Sequence, residues 1–414
     1  MLMWTFGLFG LSLLMSQTAI DLFASLLVLQ VMWLGYRWHQ QQSPSVWWNR
    51  TGIDWLFLLW IGVVLVGFSL RGFDGDQWYI KMLEFRWIFI FYMMITAVRY
   101  LEPKESWVKP FAIAFTICCA WAVVVWFMGF DPLHPNDKLQ LTGNGVFRTG
   151  GFLFQPIAFA HLYQLPLCLL MGLLLTMWRW KRMGAWWVAV ASLAGTLAIF
   201  LSFTRGVWLS LTVACLVMTF LMSRRFSLVL ACVGVLGFTA AYNYSPTFHE
   251  RVRFGIDGGD TERVWMWKAN FEMFKEHPVF GIGYGENVNA LTSYYQKIGA
   301  PADVIAASLS HAHNQYLQML SGTGIVGLVV YLALILYFLV LAFRVWYRIG
   351  SREVFHQGLA LGLIGAQVAF LVGGVTESNL EHSKMRHALL LVWALTVWLA
   401  YQYSVLRERV THSK

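Results

Sequence analysis

The string His313-Asn314, followed after nine residues by Gly324-Ile325-Val326-Gly327, joins an ionisable ring to an abrupt change of environment. It closes a long polar stretch, and an apolar run over 328–343 follows directly. An imidazole held where a water-facing segment meets a hydrocarbon span can take or give a proton near neutral pH. Three arginines add a second kind of chemistry. Arg205 lies in Leu201-Ser202-Phe203-Thr204-Arg205-Gly206-Val207-Trp208, between two apolar runs with almost no loop. Arg263 opens an amphipathic segment, and Arg148 precedes a span that contains Gln155-Pro156. A guanidinium offers a permanent charge and a planar fork of donors, which suits a diphosphate. Taken singly, each arginine also has an ordinary reading: Arg205 and Arg148 as interfacial anchors, Arg263 as a surface partner of Glu262 or Asp260. Several converging on one cavity would make a polyanion site.

Two further patterns carry less. Gly322-Thr323-Gly324-Ile325-Val326-Gly327 fits the dinucleotide fingerprint G-x-G-x-x-G, but that motif needs a preceding strand and a soluble βαβ unit. Here the glycines are expected to allow a turn and close helix packing. His311-Ala312-His313 is an i, i+2 pair, which in extended backbone points to opposite sides, and no compact carboxylate or thiol set accompanies it. No metal ligand is therefore expected.

The elements that must position these residues are membrane helices. Of 414 residues, 58% are hydrophobic and 12% charged, against about 25% charged in an average soluble chain. Repeated apolar runs match the roughly 20 residues that cross a bilayer. They fall at 2–16, 18–36, 52–70, 87–101, 108–128, 152–177, 185–203, 206–222, 227–243, 322–343, 357–376 and 387–405. Aromatic residues such as Trp33, Trp38, Trp47, Trp48, Trp178, Trp180, Trp186 and Trp187 gather at the ends, as interfacial belts do. Cys118, Cys119, Cys168, Cys215 and Cys232 all lie inside apolar runs and read as small buried hydrophobes. The first run lacks a basic leader and a small-residue cleavage site, so it is expected to be retained.

Charge supplies an independent topology. With the N-terminus cytoplasmic, inner connections carry sixteen basic residues, Arg37, Arg50, Arg99, Lys104, Lys109, Arg179, Lys181, Arg182, Arg224, Arg225, Arg344, Arg348, Arg352, Arg407, Arg409 and Lys414, against five acidic ones. The other side then holds 14 basic and 16 acidic residues, so the overall charge of +9 divides into +11 inside and −2 outside. That division follows the positive-inside rule and predicts an all-α polytopic membrane protein of about twelve spans with both termini cytoplasmic. The basic balance reports topology, and no nucleic-acid partner is implied.

Three regions follow: spans one to nine over 1–243, an outer loop or cap over 244–312, and the last three spans over 313–414. Within the cap, 261–274 predicts an amphipathic helix with Val264, Trp267, Phe271 and Phe274 along one face and Lys268, Glu272 and Lys275 on another. It should stop near His277-Pro278. Gly281-Ile282-Gly283-Tyr284-Gly285 then turns the chain, and a second helix is expected over 287–298.

Taken together, these motifs resemble the O-antigen ligases of lipopolysaccharide assembly, within the O-antigen ligase/polymerase superfamily. The resemblance rests on His313-Asn314-x9-Gly324-x-x-Gly327 after the large loop, on Ser202-Phe203-Thr204-Arg205-Gly206 as an arginine-bearing hairpin, and on Arg263-x-x-x-Trp267 running to His277-Pro278-Val279-Phe280-Gly281-Ile282-Gly283. It implies a GT-C-type membrane glycosyltransferase of the Gram-negative inner membrane, working without metal or cofactor on the periplasmic side. The implied donor is an O-antigen glycan on undecaprenyl diphosphate, the implied acceptor a sugar hydroxyl of lipid A–core oligosaccharide, and the outcome inversion at the anomeric carbon. Catalytic roles are implied for His313, Arg205 and Arg263, with Arg148, Gln155, Asn314, Tyr284 and His311 as substrate-binding candidates. Polymerases and protein O-oligosaccharyltransferases share the donor and are the nearest alternatives. A lipid-linked glycan flippase is the alternative of another class, but it predicts charges at the midplane and repeated halves.

Overall fold

The computed structural model describes residues 2–15, 17–40, 51–71, 85–135, 140–142, 145–179, 184–256, 261–307, 311–350 and 352–406. Arg50, Lys181, Arg182, Arg407, Arg409, Lys414, Trp47, Trp48 and Trp180 lie outside them. The described residues are helical and form no strand, apart from one isolated bridge between Leu141 and Phe147. The helices of the apolar runs are α1 (Leu2–Met15), α2 (Gln17–Gln40), α3 (Asp54–Arg71), α4 (Arg86–Leu101), α5 (Val108–Met128), α6 (Pro156–Arg179), α7 (Ala185–Leu201), α8 (Arg205–Met222) and α9 (Arg224–Tyr244). The cap adds α10 (Pro246–Ile256), α11 (Thr261–Glu276), α12 (Asn287–Lys297) and α13 (Ala302–Ala307), and the chain returns through α14 (Gln315–Arg348), α15 (Val354–Gly373) and α16 (Ser383–Gln402). A helix thus occupies each of the twelve expected intervals. Seven helices among the described residues are long and apolar enough to cross a membrane, which makes this a multi-pass membrane protein.

The bundle is organised around α6 and α15, the two most deeply buried of those seven. They touch through small residues: a Cβ placed on Gly172 would lie 2.3 Å from Gly362 N, and one on Gly362 would lie 2.6 Å from Leu169 Cα. In hydrocarbon, where burying apolar side chains gains little, such backbone-to-backbone approach supplies the dispersion contact that holds helices together. α8 packs on the same helix, with Gly365 against Met218 and Gly206 against Thr376.

α14 departs from expectation in a way that matters for the site. It begins at Gln315 rather than near 322, because the Asn314 side chain caps it, its Oδ1 accepting from Tyr316 N at 3.1 Å and Leu317 N at 3.0 Å. The glycines fall inside the helix. Gly324 has φ 65° and ψ −170°, a conformation that opens the ladder. The cap segment 278–283 enters the opening. Ile282 N donates to Ser321 O at 2.9 Å, Gly283 N to Gly322 O at 2.9 Å, Ile325 N to Pro278 O at 2.9 Å and Val326 N to Val279 O at 3.3 Å. A Cβ on Gly324 would lie 2.2 Å from Val279 O, and one on Gly281 would lie 2.4 Å from Gly322 C. The two glycine motifs are therefore the two halves of one clasp.

The cap has its own small core of Met266, Ala269, Met273, Ile282, Leu291, Tyr295 and Val304. α11 stops at Glu276 and α12 covers Asn287–Lys297, as the pattern predicts. The buried face of α11 is nonetheless a third one: Met266, Ala269, Asn270 and Met273 point inward, whereas Val264, Trp267 and Phe271 are exposed. Asn270 joins that face because it is hydrogen-bonded, its Oδ1 accepting from Ser321 Oγ at 2.7 Å and Asn287 Nδ2 at 3.1 Å. Hydrophobicity ranking alone favours the aromatic face and misses a polar residue whose partner comes from another helix.

Gly324→Ala is expected to lower the detergent-solubilised melting temperature or to block assembly, since both φ and the Val279 carbonyl exclude a side chain. Gly234→Ala, in a helix with open space around it, should be neutral or mildly stabilising. Thermal unfolding followed by size-exclusion of the two variants checks the contrast, and equal melting temperatures would refute the clasp.

Candidate active site

The first turn of α14 is stapled to the connection that follows α15. Gln315 N donates to Gly374 O at 2.7 Å, the Gln315 Oε1 accepts from Leu380 N at 2.8 Å, and the Tyr316 hydroxyl donates to Leu371 O at 2.5 Å. These bonds bring the loop 374–382 against 311–313. The preceding segment is tied down from two further directions. Ala312 N donates to Gln318 Oε1 at 2.9 Å, and Ala312 O accepts from the indole of Trp267 at 2.9 Å. Trp267 thus grips the backbone between the two histidines.

At the junction sits Glu377, only 1% exposed. Its Oε2 lies 2.9 Å from His313 Nδ1, while Oε1 lies 3.3 Å from His311 Nδ1 and 3.9 Å from His382 Nε2, and accepts from Ser378 N at 3.0 Å. The expectation that His311 and His313 point apart is corrected. His313 has φ 46°, which turns the chain back so that the two rings stand 4.4 Å apart over one carboxylate. Glu377 itself is not singled out by its sequence context, 64 residues from His313 and one acid among many. The available signal was its position at the edge of an apolar run, the same argument that singles out Arg205.

Burial opposes ionisation of Glu377, but the hydrogen bond and charge of His313 outweigh it and hold the carboxyl below the usual carboxylate range. Burial pushes His311 down to about 4 against the pull of Glu377, and it lowers His382 in the same way. The Arg263 charge adds to the lowering of His311, so that guanidinium lies within electrostatic reach of the cluster. The resulting arrangement is an ionised carboxylate that orients one imidazole through Nδ1, beside a second imidazole kept neutral.

The other residues expected here divide into two groups. Arg205 is the first residue of α8, and Gly206 beside it abuts Thr376 so closely that a Cβ would lie 1.9 Å from the Thr376 Oγ1. Arg205 therefore begins one residue from the contact that carries Glu377. Arg148 belongs to the same turn, its Nε donating to Ser202 O at 3.0 Å. Gln155 is exposed and precedes α6, accepting from Phe159 N at 3.0 Å through its carbonyl. Asn314 serves as the cap of α14, and Tyr284 packs edge-on against Trp60 in an aromatic cavity with Trp87, Tyr331, Trp393 and Arg386. A buried polar row completes the surroundings: Ser210 Oγ donates to Gln164 Oε1 at 2.6 Å, and Gln164 Nε2 lies 3.5 Å from His161 Nδ1, against Gly373.

Residues 189–332 match the family model described as O-antigen ligase. The match covers less than half of the chain and supports a likeness of this stretch to the O-antigen ligase/polymerase superfamily. The ligase-family stretch contains Arg205, Arg263, Trp267, His311, His313 and the Gly324 break, whereas Glu377, His382 and Arg148 lie beyond it. Comparison with curated proteins finds no match. The family supports an enzyme of ligase or polymerase type.

Trp267→Phe keeps the ring but removes the indole donor to Ala312 O. It should speed amide hydrogen exchange across 311–314 while peptides from α12 stay as protected as before, because one net hydrogen bond of about 1 kcal/mol is lost locally. Exchange followed by mass spectrometry checks this, and unchanged protection at 311–314 would remove Trp267 from a positioning role.

Proposed function

We propose that this protein is an O-antigen ligase of the Gram-negative inner membrane. In this reading it has a GT-C-type architecture and its site faces the periplasm. It moves a glycan from undecaprenyl diphosphate to a sugar hydroxyl of lipid A–core oligosaccharide. The observation that carries the reading is the Glu377–His313 pair, set within electrostatic reach of Arg263 and one contact away from the arginine-bearing turn at Arg205.

The chemistry follows from that pair. With Nδ1–H donating to Glu377, the Nε2 lone pair of His313 is the one available to an acceptor hydroxyl. The hydroxyl oxygen attacks the anomeric carbon, its proton passes to Nε2, and the bond from that carbon to the diphosphate oxygen breaks with its electron pair leaving on the diphosphate. Such base assistance is typically worth roughly 10²–10⁴-fold. Negative charge grows on the leaving group, and Arg205 and Arg263 stabilise it, Arg205 from the positive end of the α8 dipole. Arg148 holds the turn that presents Arg205, and Gln155 and His311 flank the sugars. A single displacement inverts the anomeric centre and needs neither a carboxylate nucleophile nor a metal.

Transfer in vitro, with purified protein, undecaprenyl-diphosphate glycan and lipid A–core, tests the assignment. Product on lipid A–core is expected. Elongated undecaprenyl-linked chains would make the protein a polymerase, and movement of the donor across the bilayer without new bonds would make it a transporter. His313→Ala should cost at least about 10²-fold in rate with membrane insertion intact; full activity would end the base assignment. Arg205→Lys keeps the charge and loses the fork, so near-normal turnover would argue against bidentate diphosphate recognition.

Glu377→Gln keeps the side chain's size and removes its charge, so an orienting role predicts a fall in kcat with KM for both substrates little changed. An unchanged kcat would leave Glu377 a structural residue.

A further inference from the structure

The same carboxylate and imidazoles have a second capability, which comes from donor geometry alone. His311, His313 and Glu377 each offer one donor atom, and the three atoms lie within 4.8 Å of one another. One carboxylate oxygen of Glu377, Oε2, lies 2.9 Å from His313 Nδ1 and the other, Oε1, lies 3.3 Å from His311 Nδ1, near the edge of about 3.4 Å expected between ligands of a tetrahedral zinc ion with bonds of about 2.0–2.1 Å. His382 Nε2 lies further out, at 3.9 Å from Glu377 Oε1, and is not one of the three. The Nδ1 of His311 is buried and makes no hydrogen bond, so its bonding capacity is not spent elsewhere. Glu377 is shut away from solvent, whereas the side chains of His311, His313 and His382 keep 16%, 20% and 28% of their surface open. An ion can therefore approach along the imidazole edges and meet a negative charge at the bottom.

We infer that His311, His313 and Glu377 bind a zinc-like divalent cation and that the bound cation blocks transfer. The donor set selects the ion class. Imidazole nitrogens with one carboxylate suit zinc, nickel and copper, whereas magnesium and calcium demand six or more oxygen donors that this cluster does not offer. The blocking effect rests on the reaction proposed above. A cation held by Nδ1 of His313 leaves that ring's proton on Nε2, and a protonated Nε2 cannot accept a proton from the acceptor hydroxyl.

Isothermal titration of the tag-free full-length protein in detergent, stripped of metal, measures the site, and transfer assays with and without the ion measure its effect. One zinc ion per chain should bind, and a large excess of magnesium should not displace it. Cobalt in place of zinc should give the visible d–d bands of a four-coordinate ion. Glu377→Gln and His311→Gln, checked for an unchanged melting temperature, should each weaken zinc binding at least about tenfold. Zinc affinity equal in the wild type and both variants, or absent throughout, would overturn the site. Should either variant fail to fold, His313→Gln tests the same site: loss of the cobalt bands there upholds it, and unaltered bands would overturn it. Zinc bound at one per chain with transfer undiminished would uphold the site and instead overturn Nε2 of His313 as the base, so the two readings fail by different results.

Discussion

A carboxylate withdrawn from water in a membrane protein must be met by donors or positive charge, since an unpaired buried ion is far too costly to keep. Glu377 imposes that condition on its surroundings. His313 and the amide of Ser378 meet it directly, and His311 and His382 stand next to it. These partners come from different parts of the chain, so satisfying one carboxylate joins the loop after α15 to the start of α14. The same joint fixes the tautomer of His313, because an acceptor at Nδ1 requires the proton to be there. A structural requirement and a chemical one are thus met by a single contact.

The joint would be loose without the cap. Trp267 reaches back to the carbonyl between the two histidines, and the segment 278–283 inserts into the opened turn of α14 at Gly324. Asn270, Asn287 and Ser321 form a buried polar knot between the cap helices and α14. Each of these ties answers a local need, either a backbone group exposed by the helix break or a polar side chain taken out of water. Their combined result is that the polar cap and the apolar bundle share a boundary along 311–326, which is where the ionisable residues lie.

On the opposite side of the cluster the arginine-bearing turn is held by its own devices. Ser202 O accepts from Arg148, Thr204 Oγ1 lies 3.3 Å from Pro156 O, and Gly206 allows α8 to seat directly on Thr376. α6, α8 and α15 pack through glycines, so the loops at their ends approach within side-chain distance. Close helix packing in hydrocarbon, set by small residues, is the means by which the start of α8, after Arg205, comes to abut Thr376, the residue before Glu377.

Much of this protein was legible without coordinates. Apolar run length marked an interval that each helix occupies, because bilayer thickness and helix rise leave little choice, but it missed the start of α14, which the Asn314 cap sets at Gln315. His313 and Arg205 stood out because ionisable groups beside apolar runs are expensive and therefore informative, whereas Arg263 stood out only through the resemblance carried by Arg263-x-x-x-Trp267. The role of Glu377, the buried face of α11 and the convergence of His311 with His313 were decided only by the tertiary structure. Each depends on partners dozens of residues away, on one left-handed backbone angle, or on a polar residue buried because another helix satisfies it. Run length and charge are properties of a segment, whereas hydrogen-bond satisfaction is a property of pairs, and pairs exist only once the chain has folded.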